Sequence, residues 1–312
     1  MELRTLGTTG LRVSALSLGA SPFGGVFGDV GYEGCKRCLD TALDLGINLI
    51  DCSPYYGLTK AETMLGRTLQ GVPREKYILA TKVGRYGADA PNFDFSAGRV
   101  TKSVDESLSR LGVDYVDLIQ CHDIEFGDLN QIVEETLPAL RAVVQGGKAR
   151  FVGITGLPLQ VFREVIARAE VDTILSYCRY SLNDTALESL IPVLQEKGTG
   201  IISASPLSMG LLTQRGAPDW HPAPEEIKTA CRLAAQHCQS KGASLEKLAV
   251  QFAVANPNIA TTLVGTSKAE NIASNVKWLN EPLDEELLRE VEAILAPIKD
   301  QTWPSGRPEN ND

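Results

Sequence analysis

Short runs of apolar and β-branched residues alternate with segments whose apolar positions recur every three or four residues, and this happens about eight times along the chain. The strand-like runs are ALSLG from residue 15, NLID from 48, YILATK from 77, YVDLIQCH from 115, FVGIT from 151, TILSY from 173, GIIS from 200 and TTLVG from 261. Between them lie amphipathic stretches such as VTKSVDESLSRLG, IVEETLPALRAVVQGG and LQVFREVIARAE, whose spacing predicts helices. Runs this apolar are covered on both faces, which implies parallel strands. Eight such units in 312 residues predict an α/β protein of the (β/α)8 TIM-barrel type, a single domain over 1–312. The competing topology is an open doubly wound sheet. Against it, the first strand is followed by GASPFGG, which puts Pro22 and Phe23 where a GxGxxG turn needs close backbone approach.

Three segments fall outside the repeat. MELRTLGTTGLRVS has a Gly-rich turn between strand-like pieces and predicts an N-terminal β-hairpin across the barrel floor, while Glu225–Lys241 and Asp284–Leu295 predict two extra helices. Composition then narrows the class. No apolar run approaches the roughly 18 residues of a membrane span, and the start lacks the pattern of a secretory signal, so the expectation is a cytosolic chain with no membrane partner. A formal charge of −9 argues against nucleic acid. Seven scattered cysteines do not form the framework of a secreted disulfide domain, and the lone CKRC at 35–38 lacks a second pair at zinc spacing, so no metal is expected.

Barrel enzymes gather their chemistry at the carboxyl ends of the strands. Asp51 ends the second strand, Tyr55 and Tyr56 follow in its loop, Lys82 ends the third and His122 the fourth. Singly, each has an ordinary reading: an Asp there commonly caps a helix, a Lys reaches for solvent, and a His fills a structural role. On three successive strands they should converge. A phenol is a poor base near neutrality unless a positive charge favours phenolate. Lysine supplies that charge, and a carboxylate keeps a buried lysine protonated. The imidazole can then orient a substrate oxygen and share in proton transfer.

DCSPYYG, ATK and YVDLIQCH together resemble the signature of the aldo-keto reductases, over nearly the whole chain. The resemblance implies a catalytic set of Asp51, Tyr56, Lys82 and His122, with Tyr56 rather than Tyr55 as the proton donor or acceptor. It implies hydride transfer between a nicotinamide cofactor and a carbonyl or alcohol. GGKARFVGIT resembles the family's fifth strand, with Thr155 and Gly156 replacing a Ser-Asn pair. SASPLSMGLL resembles its cofactor loop, bringing in Ser205, Leu207 and Gly210. In LVGTSKAENIASNV, residues Gly265, Thr266 and Ser267 at a strand mouth and helix start suit a pyrophosphate or ribose, and Asn275 matches an adenine-contacting Asn, with Ser274 in place of the usual Glu. Relatives that use NADP carry Lys and Arg at the positions of Gly265 and Asn271; without those cations the expected cofactor is NAD. By the same likeness Ala204 replaces an aromatic that stacks on nicotinamide and Tyr177 replaces a Gln, so Tyr177 is expected to offer the missing ring face.

A narrower likeness within the family, carried by GASPFGGVFG, CHDIEFG, ITGLP, ILSYC, DWHPA and TWPSG, implies a small-molecule aldose as substrate. The implied reaction is NAD-dependent oxidation of L-galactose at C1 to its lactone, with L-fucose or D-arabinose as rival sugars. Sugar contacts are expected from His122, from Asp123, and from Trp303 through its indole face. A different class, a cofactor-bearing regulatory subunit of a membrane channel, also occurs in the family; the sugar-specific stretches count against it. The chain is expected to act as a monomer or weak homo-oligomer.

Overall fold

The computed structural model describes the whole 312-residue chain apart from Phe27 and Asp29. Phe27, in the GASPFGGVFG stretch, therefore lies outside the described residues.

Two short strands, β1 (Leu3–Thr5) and β2 (Arg12–Ser14), pair antiparallel as a hairpin. Eight more follow: β3 (Leu16–Gly19), β4 (Leu49–Asp51), β5 (Ile78–Val83), β6 (Val116–Cys121), β7 (Ala149–Gly156), β8 (Thr173–Tyr177), β9 (Gly200–Ala204) and β10 (Thr261–Gly265). They pair in parallel and in chain order, and β10 closes on β3, giving the eight-stranded barrel that the alternating pattern predicts. An open sheet is excluded by that closure.

Period-two alternation divides the strand residues between two cores. Leu49, Ala80, Leu118, Leu175, Ile202 and Leu263 point inward and fill the barrel as an apolar layer, as a barrel interior must be filled. The opposite positions, among them Ile50, Leu79, Ile119, Val152, Ile174 and Ile201, pack against the surrounding helices. Beneath the inner layer, Leu6, Leu11 and Val13 of the hairpin join the same cluster, so the hairpin plugs the floor. At its turn Gly7 has φ +52° and a Cβ there would stand 2.4 Å from the Gly198 carbonyl oxygen; only glycine permits this approach.

The two additional helices run Glu225–Ser240 and Glu285–Leu295. Their apolar faces (Ile227, Cys231 and Ala234 against Leu287, Val291 and Leu295) form a satellite core that also takes in Trp303 of the C-terminal segment. That core lies beside β8 and the loop after β9, so it carries the tail to the mouth of the barrel. There the tail is fastened: Arg307 N donates to Glu125 O at 2.9 Å and Asn310 Nδ2 to the same oxygen at 2.8 Å. No helix among the described residues is long and apolar enough to cross a membrane.

Candidate active site

The carboxyl ends of the strands open into a cleft of about 1060 Å³. Asp51, Tyr56, Lys82 and His122 all line it. β4, β5 and β6 are successive neighbours, and their register puts Asp51 beside Ala80 and Lys82 beside Gln120, so inward-pointing side chains from three strands meet at one level.

Lys82 is 1% exposed, and its ammonium is fully occupied. It donates to Asp51 Oδ1, to Cys52 O at 2.9 Å and to Tyr56 Oη at 3.3 Å. Burial alone would lower its pKa, but the charges of Asp51, Tyr56 and Cys52 outweigh burial and hold Lys82 above the usual lysine range. Tyr56 is placed by its successor: Gly57, at φ +61°, packs so closely that a Cβ would lie 2.1 Å from Gly24 O. One expectation is corrected here. Burial pushes the Tyr56 phenol up to about 12, more than the Lys82 charge draws it down, so the cluster by itself does not favour phenolate.

His122 sits edge-on to Tyr56, ring centroids 5.7 Å apart. Its Nδ1 is hydrogen-bonded with Ser53 Oγ at 3.0 Å, and Nε2 lies 3.6 Å from Asp123 Oδ2. Burial, reinforced by the charges of Lys82 and Arg85, takes the imidazole down to about 3 against the pull of Asp123. The 3.6 Å approach is thus made by a neutral ring, not an ion pair. At physiological pH the His122 imidazole is therefore a neutral hydrogen-bonding group rather than a cation.

Asp123 lines the cleft, but its oxygens are engaged: Oδ2 pairs with Arg85 and Oδ1 accepts from Thr155 Oγ1 at 3.0 Å. Thr155 Oγ1 also accepts from Asp123 N at 2.9 Å, which fastens a residue held at φ 49°. Arg85 was not expected from sequence. Its guanidinium lies 3.9 Å from the Tyr55 ring centroid and near the stacked pair Phe93 and Phe126, and it lines the cleft. Tyr55 therefore also has a task, as the shelf on which Arg85 rests. Ser53 and Gln120 were likewise missed; Gln120 Nε2 donates to Asp51 Oδ2 at 2.8 Å. A polar residue at an inward position of YVDLIQCH was the available signal.

On the far wall Tyr177 and Ala204 are register partners on β8 and β9, and both line the cleft. The Tyr177 hydroxyl donates to Glu125 Oε1 at 3.2 Å, which leaves the ring facing the open space. Glu125 is fully buried; burial and the Asp123 charge raise its carboxyl to about 8. Its Oε1 also accepts from Ser305 Oγ at 3.0 Å, linking the tail to the barrel mouth. Trp303 lines the cleft and packs edge-on to His221 at 5.0 Å.

A nicotinamide dinucleotide fits this cleft on two grounds. The space exceeds what one sugar fills, and the ends of β3 and β10 present adjacent glycines, Gly19 and Gly265, with no side chain to keep a ligand from the backbone. Ser205 follows β9, the other neighbour of β10, on a loop where Ser205, Ser208 and Met209 all have positive φ, strain of the kind held at ligand sites. Leu207, Gly210, Thr266, Ser267, Asn271 and Asn275 stand outside the cleft lining. Leu207 packs into the core, and Asn275 is buried on the helix Ala269–Leu279. Thr266 Oγ1 accepts from Lys268 N and from Asn271 Nδ2, each at 3.1 Å, which shapes the loop and leaves the hydroxyl proton for an acceptor. Ser267 stands beside it, just before the N-terminus of that helix, where Asn271 N and Ile272 N are bonded to Lys268 O.

A charged lysine between a carboxylate and a phenol, at the mouth of a parallel barrel, defines an oxidoreductase of one class: the chain belongs to the Aldo/keto reductase family, whose sequence profile matches residues 15–296. The redox partner is a nicotinamide cofactor. The chain is 54% identical to L-galactose dehydrogenase of Arabidopsis thaliana, over 99% of each chain. It is 29% identical to D-threo-aldose 1-dehydrogenase of a Pseudomonas species, over 86% of this chain and 90% of the other. Among solved structures, the holo form of the aldo-keto reductase AKR11C1 of Bacillus halodurans superposes with a TM-score of 0.80, at 28% identity and full coverage of both chains.

Proposed function

We propose that this enzyme oxidises L-galactose at C1 to the lactone, with NAD⁺ as the oxidant. The observation that carries the substrate is the 54% identity, over 99% of both chains, to a dehydrogenase named for that sugar. The chemistry follows from the cluster. In its phenolate form, the minor one at neutral pH, Tyr56 accepts the proton of the anomeric hydroxyl and becomes the neutral phenol as C1 loses its hydrogen with the bonding pair. Lys82 stabilises the phenolate from which the step starts, and Asp51 keeps Lys82 protonated. His122, neutral, hydrogen-bonds the C1 oxygen and aims it at Tyr56. NAD⁺, held by Gly265, Ser267 and Ser205 with its nicotinamide against Tyr177, would supply the two-electron acceptor. Arg85 and Asp123 face the sugar hydroxyls, and Trp303 the apolar face of the ring.

The preference for NAD over NADP rests on Gly265 and Asn271: neither is cationic, and the Asn271 amide is engaged by Thr266. Lys268 is the one cation in the stretch 265–275. We also infer a cytosolic monomer or weak homo-oligomer whose partner is a small-molecule aldose, not nucleic acid or membrane, in keeping with a formal charge of −9.

A panel of aldoses, each with NAD⁺ and with NADP⁺, followed by absorbance of the reduced cofactor, tests the reading. L-galactose with NAD⁺ is expected to give the highest kcat/KM, ahead of L-fucose and D-arabinose. Activity with NADP⁺ alone, or none on L-galactose, overturns it.

A further inference from the structure

Among the described residues, Gln120 is the one inward-facing amide between the apolar layer of the barrel and the catalytic cluster. It is fully buried on β6, two residues before His122, in register with Lys82 on one side and Gly153 on the other. Its Nε2 passes over β5 to donate to Asp51 Oδ2 at 2.8 Å. Asp51 Oδ1 accepts from Lys82, so each carboxylate oxygen has its own donor among the described residues. The other end of the amide is bare: Gln120 Oε1 is buried with no hydrogen-bond partner among the described residues.

That asymmetry is informative. The layer just below is made of Leu49, Ala80, Leu118, Leu175, Ile202 and Leu263, and a leucine at 120 would extend it. Burying a half-satisfied amide in such surroundings disfavours folding. What the amide gains is its bond to Asp51. We propose that Gln120 is a positioning residue of the redox centre: it holds the Asp51 carboxylate with Oδ1 facing Lys82, so that Lys82 keeps its proton and its aim at Tyr56. The inference rests on the roles given above to Asp51, Lys82 and Tyr56.

The physical consequence of losing the amide follows directly. Asp51 Oδ2 would face apolar groups without a donor, and the carboxylate would draw the proton it shares with Lys82 toward itself. Less positive charge would then stand beside Tyr56. The titratable groups packed around this point are Lys82, Tyr56 and Cys52, with His122 and Asp123 beyond the Tyr56 ring. Gln120 touches neither sugar nor cofactor, so binding of both should survive its replacement.

The test uses the full chain, L-galactose and NAD⁺. Gln120→Leu is expected to lower kcat about 10-fold or more, the scale of a lost hydrogen bond to a charged group. The KM for sugar and the affinity for NAD⁺ should change less than about 2-fold. The pH profile of kcat should move to higher pH. On an Asp51→Asn background, where there is no carboxylate to hold, Gln120→Leu should add no further loss. An equal loss on that background, or an unmoved pH profile, overturns the proposal. If Gln120→Leu does not fold, the isosteric Gln120→Glu decides: its carboxyl donates only while neutral, so kcat should fall while NAD⁺ affinity is kept, and a kcat and pH profile like those of the parent overturn the proposal. Tyr56→Phe separates the two levels of argument. If Tyr56→Phe is inactive while Gln120→Leu behaves as the parent, only the role of Gln120 fails; if Tyr56→Phe stays active, the cluster reading itself fails.

Discussion

Lys82 Nζ reaches Tyr56 Oη at 3.3 Å while ion-paired on its other side with Asp51, and the lysine is only 1% exposed. Removing the phenol takes away the hydroxyl that Lys82 holds at the cleft. Tyr56→Phe is expected to lower kcat for sugar oxidation roughly 10²–10⁴-fold, the range of a lost general acid-base group, with NAD⁺ affinity retained. Because burial lifts the phenol to about 12, the parent enzyme must work with a group that holds its proton at neutral pH, and kcat for oxidation should climb as pH rises. Steady-state rates from pH 6 to pH 10, for parent and variant, check both statements.

Lys82→Met should unfold more easily than the parent as well as lose activity. It leaves the Asp51 carboxylate buried without its counter-charge, which costs about 3–5 kcal/mol. Adding Asp51→Asn to that variant should restore part of the lost stability and none of the activity. Urea denaturation of the two single variants and the double variant measures the coupling.

Tyr177→Ala is expected to weaken NAD⁺ binding about 5-fold, since an aromatic face contributes on the order of 1 kcal/mol beyond its area. Ala204, its register partner, offers no ring to compensate. Fluorescence titration with NAD⁺ reads the change, and unaltered affinity would remove Tyr177 from the cofactor wall.

Cofactor choice should be reversible by two substitutions. Gly265 is outside the positive-φ region, and a Cβ there would meet nothing closer than 3.5 Å, so the backbone tolerates the first carbon of a side chain. Gly265→Lys with Asn271→Arg is expected to raise kcat/KM for NADP⁺ about 10-fold or more through charge-assisted contacts to the 2'-phosphate. Parallel assays with the two dinucleotides report it.

Stability should fall with rising pH through Glu125. Its folded pKa, about 8, lies above the ordinary glutamate value of 4.5, so the folded state holds this proton more tightly than the unfolded chain. The contribution is complete below about 4.5 and is lost as pH rises to about 8. Glu125→Gln, which keeps an uncharged group of the same shape, should flatten the decline of Tm over that window. Thermal melts of parent and variant at matched pH values give the difference.

Much of this arrangement could be read from the chain alone. All eight barrel strands coincide with apolar runs because a parallel barrel buries both strand faces, and Asp51, Lys82 and His122 stand out because a polar group that ends such a run points into the mouth, whereas Tyr56, in the loop after β4, was legible only through the resemblance of DCSPYYG. Arg85 and Ser53 were not visible for the opposite reason. They lie in polar loop sequence, GRYGADAPN and CSPYYG, where periodicity carries no information and partners are chosen by tertiary contact. The protonation of Tyr56 was misjudged because residue types reveal a neighbouring charge but not the depth at which it acts. Thr266 illustrates a further limit: the sequence shows a hydroxyl beside a helix start, and only coordinates show that its oxygen accepts from Lys268 N and Asn271 Nδ2 and so shapes the loop.

The contact between Gly24 and Gly57 bears on any attempt to redesign the enzyme. Two main chains lie so close there that no side chain can be inserted at position 57, so the backbone that carries Tyr56 is fixed at that point. New sugar preferences are better sought at Arg85 and in the segment from Trp303 to Ser305, where side chains set the outline of the cleft.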